Sequence, residues 1–470
     1  MTITEQVAAE VTAAPLGHKA RATSDRVAAG IAIAIFAAFC AVVLSKASQL
    51  LEPDDYAYRA SIAALSQGHL TLTNTQYLAL AKELAASSTQ VAPVGPNSGQ
   101  GIMQWVQLSN GNWISEKNPG YPFLALPFKL LGNLRLAPLF YGGLACLSLF
   151  FGARRWLGRW GGVWAVGLFC SSGAALVFAW RATMPTFTDS SLIAAGAGAL
   201  IWSMLATERS SRRRIIVGLL GFVALEAAVF VRYTNIVLLL AAIVAVLLFR
   251  RAAEVKWAGL LWWFGSVGLF GCGVLLFDQL AYGNAFETGY ASGEITFNLS
   301  SILPNIGNMP IHLIKSMPML VLALIGIGWM AIRLRGTRGG DAELHTAARR
   351  DAAVGSMLAL GWFGIWGLYS AYSWTVGQAA EGGGNSVHVI RFYLPAIGLI
   401  ALLGAWLLTQ LPGWLPAVGL AAILGIGATS AVNLAKNAQS GPLGGPGGHS
   451  GPGQPGPPPN GGVPNGPPQS

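Results

Sequence analysis

Two carboxylates stand side by side at Asp54 and Asp55, directly after Pro53 and just beyond the first apolar run of the chain. A carboxylate held at a membrane surface can take the proton of an incoming hydroxyl, which is the work of a general base. The segment that follows, Tyr56–Leu65, reads as a helix that either aspartate can cap. Capping needs one carboxylate, so the second is left for other work. Lys117 lies in Asn110–Pro122, where the Pro and Gly residues predict an ordered turn. There it either pairs with a phosphate as a compact point charge or stays an interfacial lysine. Arg232 opens the turn Arg232-Tyr233-Thr234 between two apolar runs. At the end of a membrane span its guanidinium either grips a lipid phosphate through a forked contact or snorkels to headgroups. Further polar positions follow at Glu287 within Tyr282–Tyr290, at Glu294, Glu381 and His388, and at Arg391, which begins Arg391-Phe392-Tyr393-Leu394-Pro395.

Acids inside apolar runs are informative because a charge at mid-bilayer costs about 2.5–3.5 kcal/mol even on the lenient insertion scale. Asp189 begins one run after Arg181 and Pro185, Glu226 lies within another, and Asp278 ends a third. Each reads as a paired structural ion, and Glu226 also as a proton relay. No P-loop, GxSxG elbow, HExxH or CxxC motif is present. No His/Asp/Glu spacing specifies a metal, although a divalent cation such as Mg or Mn is compatible with the chemistry.

The elements that must position these groups follow from composition. Of 470 residues, 53% are hydrophobic and 10% charged, far below the roughly one quarter charged in soluble chains. Lipid must therefore solvate most of the chain, and continuous rather than alternating apolar runs make its spanning elements helices. About eleven spans are expected, giving an all-α polytopic membrane protein: Val27–Leu44, Leu134–Gly152, Gly161–Ala179, Phe187–Ala206, Ile215–Val231, Asn235–Phe249, Trp257–Phe277, Met309–Ile332, Ala353–Tyr372, Phe392–Leu408 and Trp414–Val432. Between the first two lies a loop over 46–120, too long for a plain connector and expected to contain short helices.

The net charge of +10 is topological information. Arg154, Arg155 and Arg159, then Arg209 and Arg212–Arg214, then Arg250, Arg251 and Lys256, then Arg333, Arg335, Arg338, Arg349 and Arg350 fall in alternate loops. By the positive-inside rule those loops and the N-terminus are cytoplasmic, and Asp54, Asp55, Lys117, Arg232 and Arg391 are extracytoplasmic. The first run is read as an uncleaved span rather than a signal peptide, despite Ser45-Lys46-Ala47, because it exceeds the usual signal core. The expected organisation is a disordered cytoplasmic segment over 1–24, a membrane domain over 25–433, and a disordered extracytoplasmic Gly/Pro tail over 434–470. That tail is either solvated or a tether to a wall layer. Cys40, Cys146, Cys170 and Cys272 sit in apolar runs and read as inert thiols.

In order, these landmarks resemble the GT-C superfamily of membrane glycosyltransferases. They are Pro53-Asp54-Asp55-Tyr56 with Tyr58 and Gly68-His69, the turn Pro119-Gly120-Tyr121-Pro122 with Pro127 beyond it, Thr188-Asp189, Arg232-Tyr233-Thr234-Asn235, Tyr282-Gly283, and Arg391–Pro395. The resemblance covers most of residues 27–410. It implies a polyprenyl-phosphate sugar donor of the kind mannosyl- and arabinosyltransferases use, and a glycan, lipid or protein acceptor outside the cytoplasm. It carries the acidic base onto Asp54 or Asp55, with Asp55 favoured because it directly precedes the Tyr-x-Tyr helix. It carries the phosphate-binding arginine onto Arg232 or Arg391. Lys117 is a further candidate for the donor phosphate, and Asp189, Tyr58 and Glu287 are further candidate site residues. The large soluble C-terminal domain of some members is replaced here by the Gly/Pro tail, which leaves the acceptor class open.

The physical logic agrees. Such a donor keeps its tail in lipid and its headgroup at the interface, so an enzyme needs cations for the leaving phosphate and a carboxylate for the acceptor hydroxyl. Two other readings compete. One is a multi-span transporter or lipid flippase using Glu226, although no internal repeat is visible. The other is an anchoring protein that uses its tail as an interaction arm.

Overall fold

The computed structural model describes residues 18–46, 53–87, 102, 104–205, 211–250, 255, 257–290, 296–337, 341–380 and 387–439. Glu294, Glu381, Arg209, Arg251, Lys256, Arg338 and the tail from 440 onward lie outside the described residues. Each of the eleven apolar runs coincides with helix. In chain order these are α1 (His18–Ser45), α2 (Pro53–Ser66) and α3 (Asn74–Ser87) of the first loop, α4 (Gly120–Leu130), α5 (Leu136–Leu157), α6 (Arg159–Cys170), α7 (Gly173–Trp180), α8 (Thr186–Leu205), α9 (Ser211–Val231), α10 (Ile236–Phe249) and α11 (Trp257–Tyr282). They continue as α12 (Ile302–Asn308), α13 (Pro310–Ser316), α14 (Met319–Gly336), α15 (Ala342–Ser370), α16 (Ser373–Ala380), α17 (Val387–Ile390), α18 (Ile397–Thr409) and α19 (Leu415–Gln439).

Among the described residues, seven helices are long and apolar enough to cross a membrane, or eight if α6 and α7, bent by 62° at Ser171-Ser172, form one broken span. The expected count of eleven therefore exceeds what length and composition establish. Two of the shortfalls have a physical meaning. Helix α10 has 14 residues and α18 has 13 residues. Each is therefore about 20 Å long, short of a hydrocarbon core about 30 Å thick. Each is entered through a 3₁₀ turn, Tyr233–Asn235 and Leu394–Ala396, behind Arg232 and Arg391. Both arginines are thereby set into the end of the bundle rather than out in water. The outward faces are apolar, with Leu261, Leu269 and Leu280 of α11 each at least 74% exposed. Contact with lipid requires such faces.

Helix α1 starts at His18, inside the segment expected to be disordered, and α19 runs to Gln439, past the expected boundary at 433. The first loop also carries a two-stranded antiparallel hairpin, Trp105–Gln107 with Trp113–Ser115, a small exception to the all-α expectation. With α2 and α3 it encloses a separate core of Ala60, Leu72, Tyr77, Leu80 and Trp105. Cys146 and Cys170 are buried with their sulfurs 3.8 Å apart and unbonded, and the outward-facing Cys272 is exposed.

The two ends of the bundle differ. At one, Arg154 pairs with Asp25 at 2.7 Å near the start of α1. At that same end Asp351 accepts the indole N–H of Trp156 and of Trp406 and lies 3.8 Å from Arg333 and from Arg350. These are the arginines that the positive-inside rule assigns to the cytoplasm. Asp54 follows the opposite end of α1. Glu226, within α9, is buried and accepts from the Ser266 hydroxyl at 2.8 Å, so its polar demand is met between two helices.

Candidate active site

The loop acids and the recessed arginines meet at that opposite end. Asp54, in the first turn of α2, accepts from the Arg391 guanidinium at 2.6 Å, and Lys117 Nζ stands 3.4 Å from its other oxygen. Lys117 also pairs with Glu116 at 3.1 Å and donates to the Tyr290 hydroxyl at 3.2 Å. The Arg232 guanidinium donates to the Arg391 carbonyl and lies 3.7 Å from Asp189, which in turn accepts from Asn235 at 2.5 Å. Residues distant in sequence thus form one continuous charged layer, in which Asp54, Asp55, Glu116 and Asp189 face Lys117, Arg181, Arg232 and Arg391.

Position within the layer separates the two aspartates. Asp55 is fully buried, with its carboxylate held by Arg181, itself buried, and by the Thr183 hydroxyl at 2.9 Å. Asp54 retains 16% side-chain exposure. A carboxylate locked between a buried guanidinium and a hydroxyl anchors α2 to the segment after α7, whereas its neighbour faces the open side. The helix period explains the split: successive residues turn about 100° around the axis, so two adjacent carboxylates cannot share one environment.

Local sequence dictates the backbone that carries these groups. The Pro119–Pro122 turn starts α4, and Gly120 lies against the end of α9: a Cβ there would stand 2.3 Å from the Phe230 carbonyl carbon. Only glycine permits that approach, which packs the turn after Lys117 against the last turn of α9, directly before Arg232. Gly289 does the same for the loop bearing Tyr290, since its Cβ would fall 2.2 Å from the Glu116 Cα. Aromatic rings line the cations. Arg391 lies over Phe392 and Trp374, Arg232 over Phe392, and Lys117 over Tyr290. Cation–π contact thereby fixes the guanidinium planes.

Burial alone would depress the Lys117 ammonium, but Asp54, Tyr290 and Glu116 outweigh it and hold the group above its usual range, as nearby opposite charge does. Lys117 is therefore a permanent cation here. Tyr58 is buried edge-on to Tyr121, and burial pushes its phenol well above the ordinary value, leaving it a neutral hydrogen-bond donor.

Of the residues singled out from sequence, Asp54, Asp55, Lys117, Tyr58, Asp189, Arg232 and Arg391 occupy this one end of the bundle. Glu287 does not join the cluster; it is exposed in the loop after α11, with its backbone N–H on the Asn284 carbonyl. Sequence reasoning missed Glu116 and Tyr290 as partners of Lys117, and Arg181 and Thr183 as partners of Asp55. Adjacency to Lys117 could have flagged Glu116, but nothing local signals the other three. Among the described residues no group of three or more His, Cys, Asp or Glu side chains is placed to hold a metal ion, and the site carboxylates are engaged by Arg and Lys instead.

No protein-family model matches the chain, and no curated protein matches it. Three solved structures are similar to it. Two are crystal structures of ArnT from Cupriavidus metallidurans, one in the apo state (15% identity, TM-score 0.48) and one bound to undecaprenyl phosphate (14%, 0.49), covering 90% and 84% of this chain. The third is an oligosaccharyltransferase from Archaeoglobus fulgidus in the apo form (10%, 0.47), covering 87%. The chain spans 64%, 62% and 56% of the length of these three structures, respectively.

Proposed function

We propose that this chain is an integral membrane glycosyltransferase that moves a sugar from a polyprenyl-phosphate donor to a hydroxyl-bearing acceptor on the extracytoplasmic side. One observation carries the reading: Asp54 is clamped between Arg391 and Lys117 at the interfacial end of a helical bundle. The two cations form a seat for an anion, and a carboxylate of the protein itself fills it. A lipid phosphate arriving from the bilayer presents the same kind of oxygen with more charge, and a guanidinium takes it in a forked contact.

The same displacement readies the base. While Arg391 and Lys117 hold Asp54, its carboxylate is a poor proton acceptor. Once the donor phosphate takes those cations, Asp54 stands beside a second negative group, and like charge raises its proton affinity. In the transfer itself the acceptor oxygen bonds to the anomeric carbon as the bond from that carbon to the phosphate oxygen breaks. Asp54 takes the acceptor proton, and Lys117 and Arg391 stabilise the departing phosphate. Asp55 is the anchor that aims α2, and Arg232 with Asp189 sets the Arg391 backbone.

The test is sugar transfer by the purified protein in proteoliposomes carrying polyprenyl-phosphate-linked sugars, read as polyprenyl phosphate released. Asp54→Asn should abolish release while leaving donor binding intact. If Asp54→Asn and Arg391→Ala both transfer sugar at the wild-type rate, the assignment fails. If neither form acts on any such donor while a solute gradient drives uptake, the transporter reading replaces it.

A further inference from the structure

At the end of the bundle opposite the charged layer, a cavity of about 400 Å³ lies on α15, lined by Phe249 of α10 and Leu334 of α14. From α15 come Ala352, Ala353 and Ser356 and, nearer the start of the helix, His345 and Arg349. We infer that this groove binds an anionic phospholipid of the adjoining leaflet, with the phosphate on Arg349 and His345 and an acyl chain over Ala352 and Ala353.

Close helix contacts fix the level of each lining residue. A Cβ at Gly355 of α15 would stand 2.4 Å from the Met330 sulfur of α14, and one at Gly361 would stand 3.4 Å from the Leu238 side chain of α10. Further along, Thr337 meets His345 and Val237 meets Gly364, so both neighbours run antiparallel to α15. At about 1.5 Å per residue, Leu334 lies about 6 Å and Phe249 about 16 Å beyond those crossings, toward the start of α15. Both therefore stand level with residues 350–351. Arg349 is at that level, His345 about one turn further out, and Ala353 and Ser356 deeper. Helical side chains lean toward the N-terminus, so Arg349 leans outward, toward headgroups.

Arg349 and His345 share one face of α15, being four residues apart. Asp351, two residues on, turns to the opposite face, where the Trp156 and Trp406 indoles donate to it. Asp341 caps α15 further out, accepting from the Glu343 and Leu344 N–H groups, and Glu343 lies off the Arg349 face. Among the described residues no carboxylate lies within ion-pair distance of Arg349. Thr337 fixes the His345 ring, its hydroxyl 3.1 Å from Nδ1. Arg250 and Arg335 directly follow Phe249 and Leu334 and add positive charge at the same level. Shape selects a lipid over a soluble anion. Leu248 and Ile332, next to the walls, are 70% and 64% exposed, so the groove opens on the surface that lipid covers. A soluble anion would use Arg349 alone, whereas the apolar stretch below it complements an acyl chain. A merely snorkelling arginine needs no such groove beneath it.

The inference does not depend on the transferase reading. The experiment uses the full chain in nanodiscs of phosphatidylcholine with phosphatidylglycerol, followed by detergent extraction and native mass spectrometry of retained lipid. Wild type should retain phosphatidylglycerol over phosphatidylcholine. Arg349→Ala should weaken that retention about fivefold, the usual worth of one basic residue at an anionic surface, and Arg349→Lys should keep most of it. Ala353→Phe, which fills the floor without touching charge, should also expel the lipid and keeps the test valid if Arg349→Ala misfolds. Arg212→Ala, an exposed arginine at the same end but outside the groove, should change nothing. The inference is overturned if either folded variant, Arg349→Ala or Ala353→Phe, retains phosphatidylglycerol as wild type does. It is equally overturned if Arg212→Ala loses as much lipid as Arg349→Ala, or if millimolar inorganic phosphate displaces the lipid.

Discussion

Replacing Asp55 should damage the protein in a different way from replacing Asp54, although the two are neighbours. Asp55 is fully buried, and its partner Arg181 has 2% side-chain exposure. Removing one member of such a pair strands the other charge in a low-dielectric interior, at a cost of about 3–5 kcal/mol. That is two to four orders of magnitude in the folded-to-unfolded ratio. Asp54 is partly open to water, and its cations keep other partners, including Glu116 beside Lys117. Asp54→Ala should therefore cost less than Asp55→Ala, about 1–2 kcal/mol, between the values for exposed and for fully buried pairs. The assay is thermal melting followed by tryptophan fluorescence, at one scan rate because membrane proteins often unfold irreversibly. Asp55→Ala should melt far below wild type and Asp54→Ala close to it, while Asp54→Ala alone loses sugar transfer in the fraction that stays folded. Replacing both Asp55 and Arg181 by apolar residues of similar volume should recover most of the lost stability, because the stranded charge goes with its partner. Wild-type melting of Asp55→Ala, together with collapse of Asp54→Ala, would refute the division of labour.

Three further outcomes are expected. Gly120→Ala forces a methyl into the Phe230 backbone, so it should cost about 1–3 kcal/mol in melting stability and slow transfer by pushing the turn after Lys117 off the end of α9. Lys117 is held above its ordinary value, so its contribution to stability is fully present below that ordinary value, about 10.4, and is lost only as pH rises through the still higher folded value. Between about pH 6 and 9 Lys117→Met should therefore lower stability by a constant amount, and a gap between variant and wild type that closes across that window contradicts the raised value. Glu226→Gln keeps its hydrogen bond to Ser266 and should leave transfer within about twofold of wild type; abolished activity would put a proton relay back in play.

Much of this arrangement is legible in the sequence because lipid imposes simple rules. Continuous apolar runs locate the helices, and alternation of arginine-rich loops places Asp54 and Arg391 at one end of the bundle, where the structure pairs them. What the sequence hides is of three kinds. Short elements carry no periodic signal: the hairpin ending beside Glu116 and Lys117 has strands of only three residues, too short for alternation to be seen. Long-range pairing is not encoded locally either. Asp55 and Arg181 are separated by 126 positions, and nothing around Asp55 tells an anchored carboxylate from a working one. The family resemblance favours Asp55 as the base, whereas the geometry leaves Asp54 facing the open side. Span length is the other case: α10 and α18 read as ordinary crossings, and only the structure reveals that their shortness recesses Arg232 and Arg391.

In the proposed mechanism Lys117 and Arg391 form a phosphate seat that Asp54 fills until the donor arrives. A structure of the protein with a non-hydrolysable polyprenyl-phosphate sugar tests it most directly. The phosphate should contact both cations, the prenyl chain should lead into lipid, and the Asp54 carboxylate should swing off Arg391 toward the sugar. A phosphate bound elsewhere, with the Asp54–Arg391 pair unbroken at 2.6 Å, would contradict it.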